Sequence, residues 1–515
     1  MSADLAATFR KLISTWAVPA ALVLAIFLAF FNLTNYPLPW YDEGSHLHVP
    51  KTLVRLGQYA DYSSEGFRYY GPTIGVGPTV MLPIAAVFKV VGVGLWQARA
   101  VVAIYLLITL VVFFLIAQAL GGARLAWAAA ALLIGSRGVA LLEYGRQVLG
   151  EVPGLFFVVA GLAVWFTAWE RASLRRLVAV GLLLGLAVVT KTQYFIILAP
   201  ALALGWVLNL VYYRSAPQKV FLIPGILVGV CFALWQTYVV VFLGPGAVSE
   251  NLALYREATA SAATVFSRDL MERGIRELLS LKVYLSALAP ILLYGLFVIT
   301  PRNRDSQRWG LVWVIIVVNL VWYVAASVSW IRYAFVGLAL SSLFVARFFH
   351  DLTGSFEVDL KAQWDTWRQG GAFSRAQALA LVGAAWLAAM ILVPLAQSAR
   401  PIVLPSANYP LAMADYLDAH VPRDALVETW EPEMGFLTDH AYHYPPQRLL
   451  YRAVSFIWAG GPAPAMEYTF VQEQEPQYVL AGAFSKYVAF YPGEWLTKYQ
   501  VVTEVGPYTL YERQH

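Results

Sequence analysis

A chain of 515 residues that is 59% hydrophobic and only 13% charged, with a mean hydropathy of +0.61, lies outside the range of soluble domains, which carry roughly 25% charged residues. Its formal net charge of +5 is scattered between apolar runs, which argues against a nucleic-acid partner. The single cysteine, Cys231, sits inside such a run, so there is neither a disulfide framework nor a thiolate metal cluster.

Apolar runs recur at 15–34, 99–118, 123–138, 151–169, 177–190, 194–212, 220–242, 283–300, 309–327, 332–349 and 377–397. Runs of about 18 residues or more can cross a hydrocarbon core of about 30 Å, so the chain reads as a polytopic α-helical membrane protein. Arg10 and Lys11 precede the first run, which is too long for a signal-peptide core and has no small-residue cleavage site after it. It reads as a retained helix with a cytoplasmic N-terminus. The stretch 78–95 is ambiguous, because it contains Pro78, Pro83 and Lys89 and is broken by "GVG". If 78–95 does not cross, the basic clusters Arg171/Arg175/Arg176, Arg214/Lys219, Arg302/Arg304/Arg308 and Arg347/Lys361/Arg368/Arg375 all fall inside, as positive-inside bias requires. That gives eleven crossings and a C-terminus outside the cytoplasm.

This topology leaves three long outer pieces: 35–98, 243–281 and everything after 398. The chain thus divides into a membrane module, 1–397, and a small extracytoplasmic α/β domain, 398–515. In the latter, "LAMADYLDAHVPRD" has a helical period, while "ALVETW", "QYVLAG" and "YQVVTEVGPYTLYER" read as strands. The loop 243–281 carries both charge signs and reads as a cover over a site or as a plain connection. No internal repeat is visible.

Chemistry gathers at the outer boundary. The first outer loop opens with "WYDEGSHLH", which places Asp42, Glu43, His46 and His48 on the first turns of a helix. Arg146 stands between Glu143 and Glu151, Lys191 ends one apolar run, and Arg332 opens another. Charges at this depth are costly and usually have partners and tasks. No nucleotide-activated sugar exists outside the cytoplasm, so these groups suit transfer from a lipid-linked donor. Asp42 or Glu43 would take the proton of an attacking hydroxyl. Arg146, Lys191 and Arg332 would stabilise a departing polyprenyl phosphate, and direct displacement would invert the anomeric carbon. The competing local readings are helix capping by Asp42 and Glu43, an ion pair of Arg146 with Glu143 or Glu151, and a Lys191 that only reaches for headgroups. Tyr70, Tyr194, Tyr333 and Glu143 are further candidate substrate contacts. Glu43 and His46 share a helical face that could hold a divalent ion, but the spacing matches no metal motif, and no cofactor is expected.

Four motifs in order resemble the GT-C membrane glycosyltransferases, specifically the protein O-mannosyltransferase and aminoarabinose-transferase group, glycosyltransferase family 39. The family's acidic pair is matched by Asp42 and Glu43, and its "R…D-x-P…F" pattern by Arg146, Glu151 and Pro153 with Glu in place of Asp. A "TKG" helix end is matched by Thr190, Lys191 and a divergent Thr192, and an "RY" by Arg332 and Tyr333. The resemblance covers about residues 15–350. It implies juxtamembrane helices in the first outer loop, a polyprenyl-phosphate-linked sugar donor in the cell membrane, and Asp42 as general base, with Glu43 and Glu151 as further catalytic candidates. It leaves open the sugar, and whether the acceptor is a protein, a lipid or a glycan. A secondary transporter or a non-catalytic membrane scaffold is the alternative. Against both, the helix centres are nearly free of charge and the ionisable groups share one face.

Overall fold

The computed structural model describes residues 3–169, 173–259, 264–280, 288–356, 365, 368 and 374–514. Every apolar run read from the sequence is helical over most of its described part. Six helices, Leu95–Gly135, Gln193–Tyr213, Lys219–Leu243, Arg304–Ala326, Ile331–Leu352 and Arg375–Val403, are long and apolar enough to cross a membrane. The first of these combines two predicted runs. Gly122, at φ +83°, breaks it where the sequence separates 99–118 from 123–138. The runs 15–34, 151–169, 177–190 and 283–300 are represented by the helices Ala3–Phe30, Glu151–Ala168, Leu174–Thr190 and Leu288–Ile299; residues 281–287 lie outside the described residues. The helices Arg304–Ala326 and Phe335–Leu352 lie deep in the bundle, with Trp309, Tyr323, Phe344 and Phe349 almost wholly buried. Rim helices instead present side chains such as Val23, Leu234 and Phe242 outward, the arrangement that lipid tails accept.

The ambiguous stretch forms the helix Pro78–Val91. At 1.5 Å per residue its 14 residues span about 21 Å, short of a hydrocarbon core of about 30 Å. Before it, the first long loop holds the helix Tyr41–Leu56 and a hairpin of β1 (Asp61–Ser63) and β2 (Gly66–Arg68).

The C-terminal part folds around a five-stranded sheet. Its strands are β3 (Leu426–Thr429), β4 (Ala441–His443), β5 (Tyr478–Ala481), β6 (Tyr499–Val505) and β7 (Tyr508–Arg513), in the order β4-β3-β5-β7-β6. β3 runs parallel to β4 and β5, whereas β7 runs antiparallel to β5 and β6. Gly506, at φ +58°, turns the last hairpin. The helix Tyr409–His420 lays Met413 and Leu417 against Val427, Leu480 and Leu510.

This part is locked to the first long loop by backbone contact. A Cβ on Gly44 would stand 2.3 Å from the amide nitrogen of Glu433, so only glycine lets the helix Tyr41–Leu56 lie against Pro432–Leu437. Lys51 Nζ donates to the carbonyls of Gly435 (2.7 Å), Phe436 (3.1 Å) and Thr438 (2.8 Å), capping the end of that short helix. His48 adds a bond of 2.7 Å to the Pro432 carbonyl. Beneath them Glu431 accepts the Ser485 amide (2.8 Å) and Glu433 accepts the Tyr508 hydroxyl (2.8 Å). Burial pushes both carboxyls up, and the charge of Glu431 raises Glu433 further.

Gly44→Ala should lower stability by about 1–3 kcal/mol through overpacking, read as a fall in the thermal midpoint of purified protein. Gly225→Ala is the matched control, because nothing lies within 4 Å of its Cβ; it should be neutral or stabilise by up to about 1 kcal/mol. A carboxyl raised by folding adds stability that is full below its unfolded value, 4.5, and is lost as the pH rises through its folded value. Glu433→Gln should therefore shrink the drop in thermal midpoint between pH 5 and pH 8.

Candidate active site

The loop helix Tyr41–Leu56 begins after Trp40, which makes no side-chain cap. The carboxylates of its first turn face the bundle instead. Successive residues of a helix diverge by about 100°, so Asp42 and Glu43 reach different partners.

Asp42 Oδ2 accepts a hydrogen bond from Arg332 Nη2. Arg332 Nε lies 3.8 Å from Glu151 Oε1, and Lys191 Nζ donates to that same oxygen. Two acids and two bases thus form one continuous chain, Asp42–Arg332–Glu151–Lys191. The side chains of Glu151, Lys191 and Arg332 are 4%, 10% and 10% exposed, and that of Asp42 is 19% exposed. The backbone around each is shaped for the task. Lys191 leaves its helix in an extended conformation. Thr190, just before it, pairs its hydroxyl with Thr79 (2.7 Å) and accepts the Gly77 amide (2.9 Å). A Cβ on Gly77 would lie 1.8 Å from the Val189 carbonyl oxygen, so the short helix Pro78–Val91 needs glycine there to buttress the lysine turn. Tyr194 fixes the Glu151 end, donating to its carbonyl oxygen at 2.6 Å. Arg332 sits on a short 3-10 turn, Ile331–Ala334, with its guanidinium 4.2 Å from the Trp330 ring, 5.5 Å from Trp40 and 5.9 Å from Tyr333.

The cluster is not saturated. Arg332 Nε and Nη1 and Glu151 Oε2 are buried and lack a hydrogen-bond partner among the described residues. A buried donor without an acceptor costs about 1–3 kcal/mol, and two on one guanidinium leave a receptor for a further anionic oxygen. Asp42 has no hydrogen-bond partner but Arg332 among the described residues.

Glu43 is turned elsewhere. Fully buried, it binds Arg99 through Nε (2.8 Å) and Nη2 (2.5 Å) and accepts the Val148 amide (3.0 Å). Arg99 also donates to the Leu33 carbonyl (2.7 Å), tying the end of the first helix to the loop. Arg146, equally buried, spends its guanidinium on the carbonyls of Leu28, Phe31 and Tyr36, the first two at the C-terminus of the first helix. The structure does not bring it to the Lys191–Arg332 pair. His46 gives Nδ1 to the Val148 carbonyl (3.0 Å), and burial pushes its imidazole down to about 4. Glu43 and His46 thus meet at Val148, one at its amide and the other at its carbonyl, and no group of three His, Cys, Asp or Glu among the described residues is placed to share a metal ion. Glu143 lines a separate hollow of about 190 Å3 with Tyr36 and Arg137. Tyr70 donates to the Val239 carbonyl (3.0 Å) and borders a larger cleft.

The sequence reading missed Arg99 and the tryptophans Trp40 and Trp330. Arg99 carries a signal, an arginine at the first position of an apolar run, which costs energy unless an acid meets it. Tryptophans at a membrane boundary carry none, because interfacial belts use the same residue.

Residues 76–242 match the family described as dolichyl-phosphate-mannose-protein mannosyltransferase, a stretch that contains Arg146, Glu151 and Lys191. Among solved structures the chain is similar to ArnT from Cupriavidus metallidurans bound to undecaprenyl phosphate. The identity is 13%, covering 97% of this chain and 98% of that one, with a TM-score of 0.63. It is also similar to the archaeal oligosaccharyltransferase AglB from Archaeoglobus fulgidus in complex with an inhibitory peptide and a dolichol-phosphate. That match has 13% identity over 98% of this chain and 75% of that one, with a TM-score of 0.55. No curated protein matches by sequence.

Glu43→Ala, which strands a buried arginine, should destabilise the protein by about 3–5 kcal/mol. Asp42→Asn should shift the thermal midpoint far less. Unfolding of both purified variants checks the division between a latch and a site.

The chain has the fold of these solved structures, and its sequence likeness to the mannosyltransferase family lies in residues 76–242.

Proposed function

We propose that this protein transfers a sugar from a polyprenyl-phosphate-linked donor to an acceptor hydroxyl at the outer membrane face, with inversion and with Asp42 as general base. The observation that carries this reading is the unsaturated Arg332. It holds Asp42 through Nη2 and keeps two buried donors, Nε and Nη1, without a hydrogen bond, Nε standing 3.8 Å from Glu151. A lipid phosphate supplies an anion for these donors. The solved relatives with undecaprenyl phosphate and dolichol-phosphate bound support a donor of this class.

In this mechanism the donor phosphate oxygens bind Arg332 and Lys191. Asp42 takes the proton from the acceptor hydroxyl as its oxygen bonds to the anomeric carbon. The bond from that carbon to the phosphate oxygen breaks, and the electron pair leaves with the polyprenyl phosphate. The two cations hold the growing negative charge where water is scarce, so their interaction with it strengthens as the bond lengthens. No proton donor for the leaving group and no metal ion are required. Glu151 keeps Lys191 and Arg332 together, whereas Arg146 and the Glu43–Arg99 pair shape the loop. Asp42 is favoured over Glu43 and Glu151 as the base because it is the most exposed of the three and, among the described residues, accepts from Arg332 alone.

The test uses purified protein in lipid nanodiscs with a panel of radiolabelled polyprenyl-phosphate sugars, measuring transfer and slow donor hydrolysis. Asp42→Asn should lower the rate by about 10²–10⁴ while donor binding is retained. Unchanged activity in that variant would move the base to Glu151. Absence of binding and turnover with every donor, in protein shown to be folded, would overturn the transferase reading.

A further inference from the structure

Between the hairpin β1–β2, the helix Val248–Thr259 and the C-terminal part lies a cleft of about 530 Å3, which the transfer chemistry does not use. Its volume falls in the range of small-ligand sites. Its walls are rich in rings, among them Phe67, Tyr69, Tyr70, His443, Tyr468 and Phe470. The imidazole of His443 lies flat on Phe470, with centroids 3.6 Å apart and planes 3° from parallel.

The polar end of this wall is built with care. Glu428, wholly buried, lies 2.5 Å from His443 Nδ1 and accepts the hydroxyls of Tyr468 and Tyr491, each at 2.8 Å. One carboxylate therefore fixes three rings. It leaves His443 Nε2 facing the side of Glu65, whose carboxylate is 3.4 Å away and 69% exposed.

Charge narrows the ligand class. Arg68 is matched by Asp61 (3.1 Å) and lies over the Tyr444 ring at 5.3 Å. Among the described residues the other charged groups on the cleft are the carboxylates Glu65 and Glu257. A phosphate or an anionic headgroup would find no unmatched cation there. Flat apolar faces beside carboxylate and imidazole acceptors and donors suit a ring with C–H faces and a hydroxyl edge.

We propose that this cleft binds an uncharged carbohydrate, the glycan portion of the acceptor. The word acceptor rests on the transfer reading above; the binding itself does not. The cleft is tied to the first long loop through aromatic contacts. Tyr468 packs on Phe490 (5.0 Å), Phe490 on Trp430 (4.1 Å), and Trp430 on Tyr41 (6.4 Å), the residue before Asp42.

The experiment titrates purified full-length protein in nanodiscs with neutral oligosaccharides of two to four hexose or pentose units, and with sulfated counterparts, by calorimetry. Phe67→Ala and Tyr69→Ala remove partly exposed rings and should each weaken binding of the best neutral ligand about tenfold, with the thermal midpoint held. Tyr487→Ala, at an exposed ring outside the cleft, should leave the affinity unchanged. Binding of sulfated ligands alone, no binding of any neutral one, or affinity indifferent to the cleft variants would overturn the assignment. Donor hydrolysis by the wild-type protein is measured beside it. Its absence, with carbohydrate binding intact, would sink the transferase reading and leave the cleft standing.

Discussion

Four charged side chains occupy one secluded place, and none of them could be there alone. An isolated ion in a low-dielectric setting costs several kcal/mol or more, and only opposite charge with good hydrogen bonds offsets it. Asp42, Arg332, Glu151 and Lys191 meet that condition by alternating in sign along one chain of contacts. The rest of the structure serves to bring these four together from a loop, two helix ends and a 3-10 turn. Because the alternation is incomplete, with donors of Arg332 left over, the cluster is not a finished salt bridge.

A loop residue such as Asp42 can be held only if its helix is held. Three attachments do so. Glu43 and Arg99 fix the start of the loop helix to the bundle through a buried bidentate pair. Tyr41 inserts beside Trp430 and Phe484, where burial pushes its hydroxyl up. Gly44 allows backbone contact with the short helix Pro432–Leu437. The C-terminal part is therefore a support for the residue proposed as base, not an appendage.

Much of this was legible in the sequence. The apolar runs placed the helices, because hydrocarbon thickness and backbone hydrogen bonding leave little choice of structure. The gap between the runs 99–118 and 123–138 coincides with Gly121–Gly122, and the ambiguous stretch 78–95, with its prolines and glycines, holds the short helix Pro78–Val91. The helix at 409–420 and strands β3, β5, β6 and β7 followed from periodicity. Strand β4, three residues long, carries too little pattern to be read alone.

What the sequence by itself determined was where the ionisable groups stand along the chain and that they lie at the ends of apolar runs, since both depend on local hydropathy and spacing. What only the tertiary structure decided was which of them meet. Asp42 and Glu43 are neighbours in sequence but point about 100° apart on a helix, so one joins Arg332 and the other Arg99. Arg146 and Lys191 were equivalent as boundary cations, yet one closes the end of the first helix and the other meets Glu151. A side chain's partner is set by the approach of distant backbone segments, at Gly44 and Gly77 to within atomic contact, and that information is not local to any stretch of the chain.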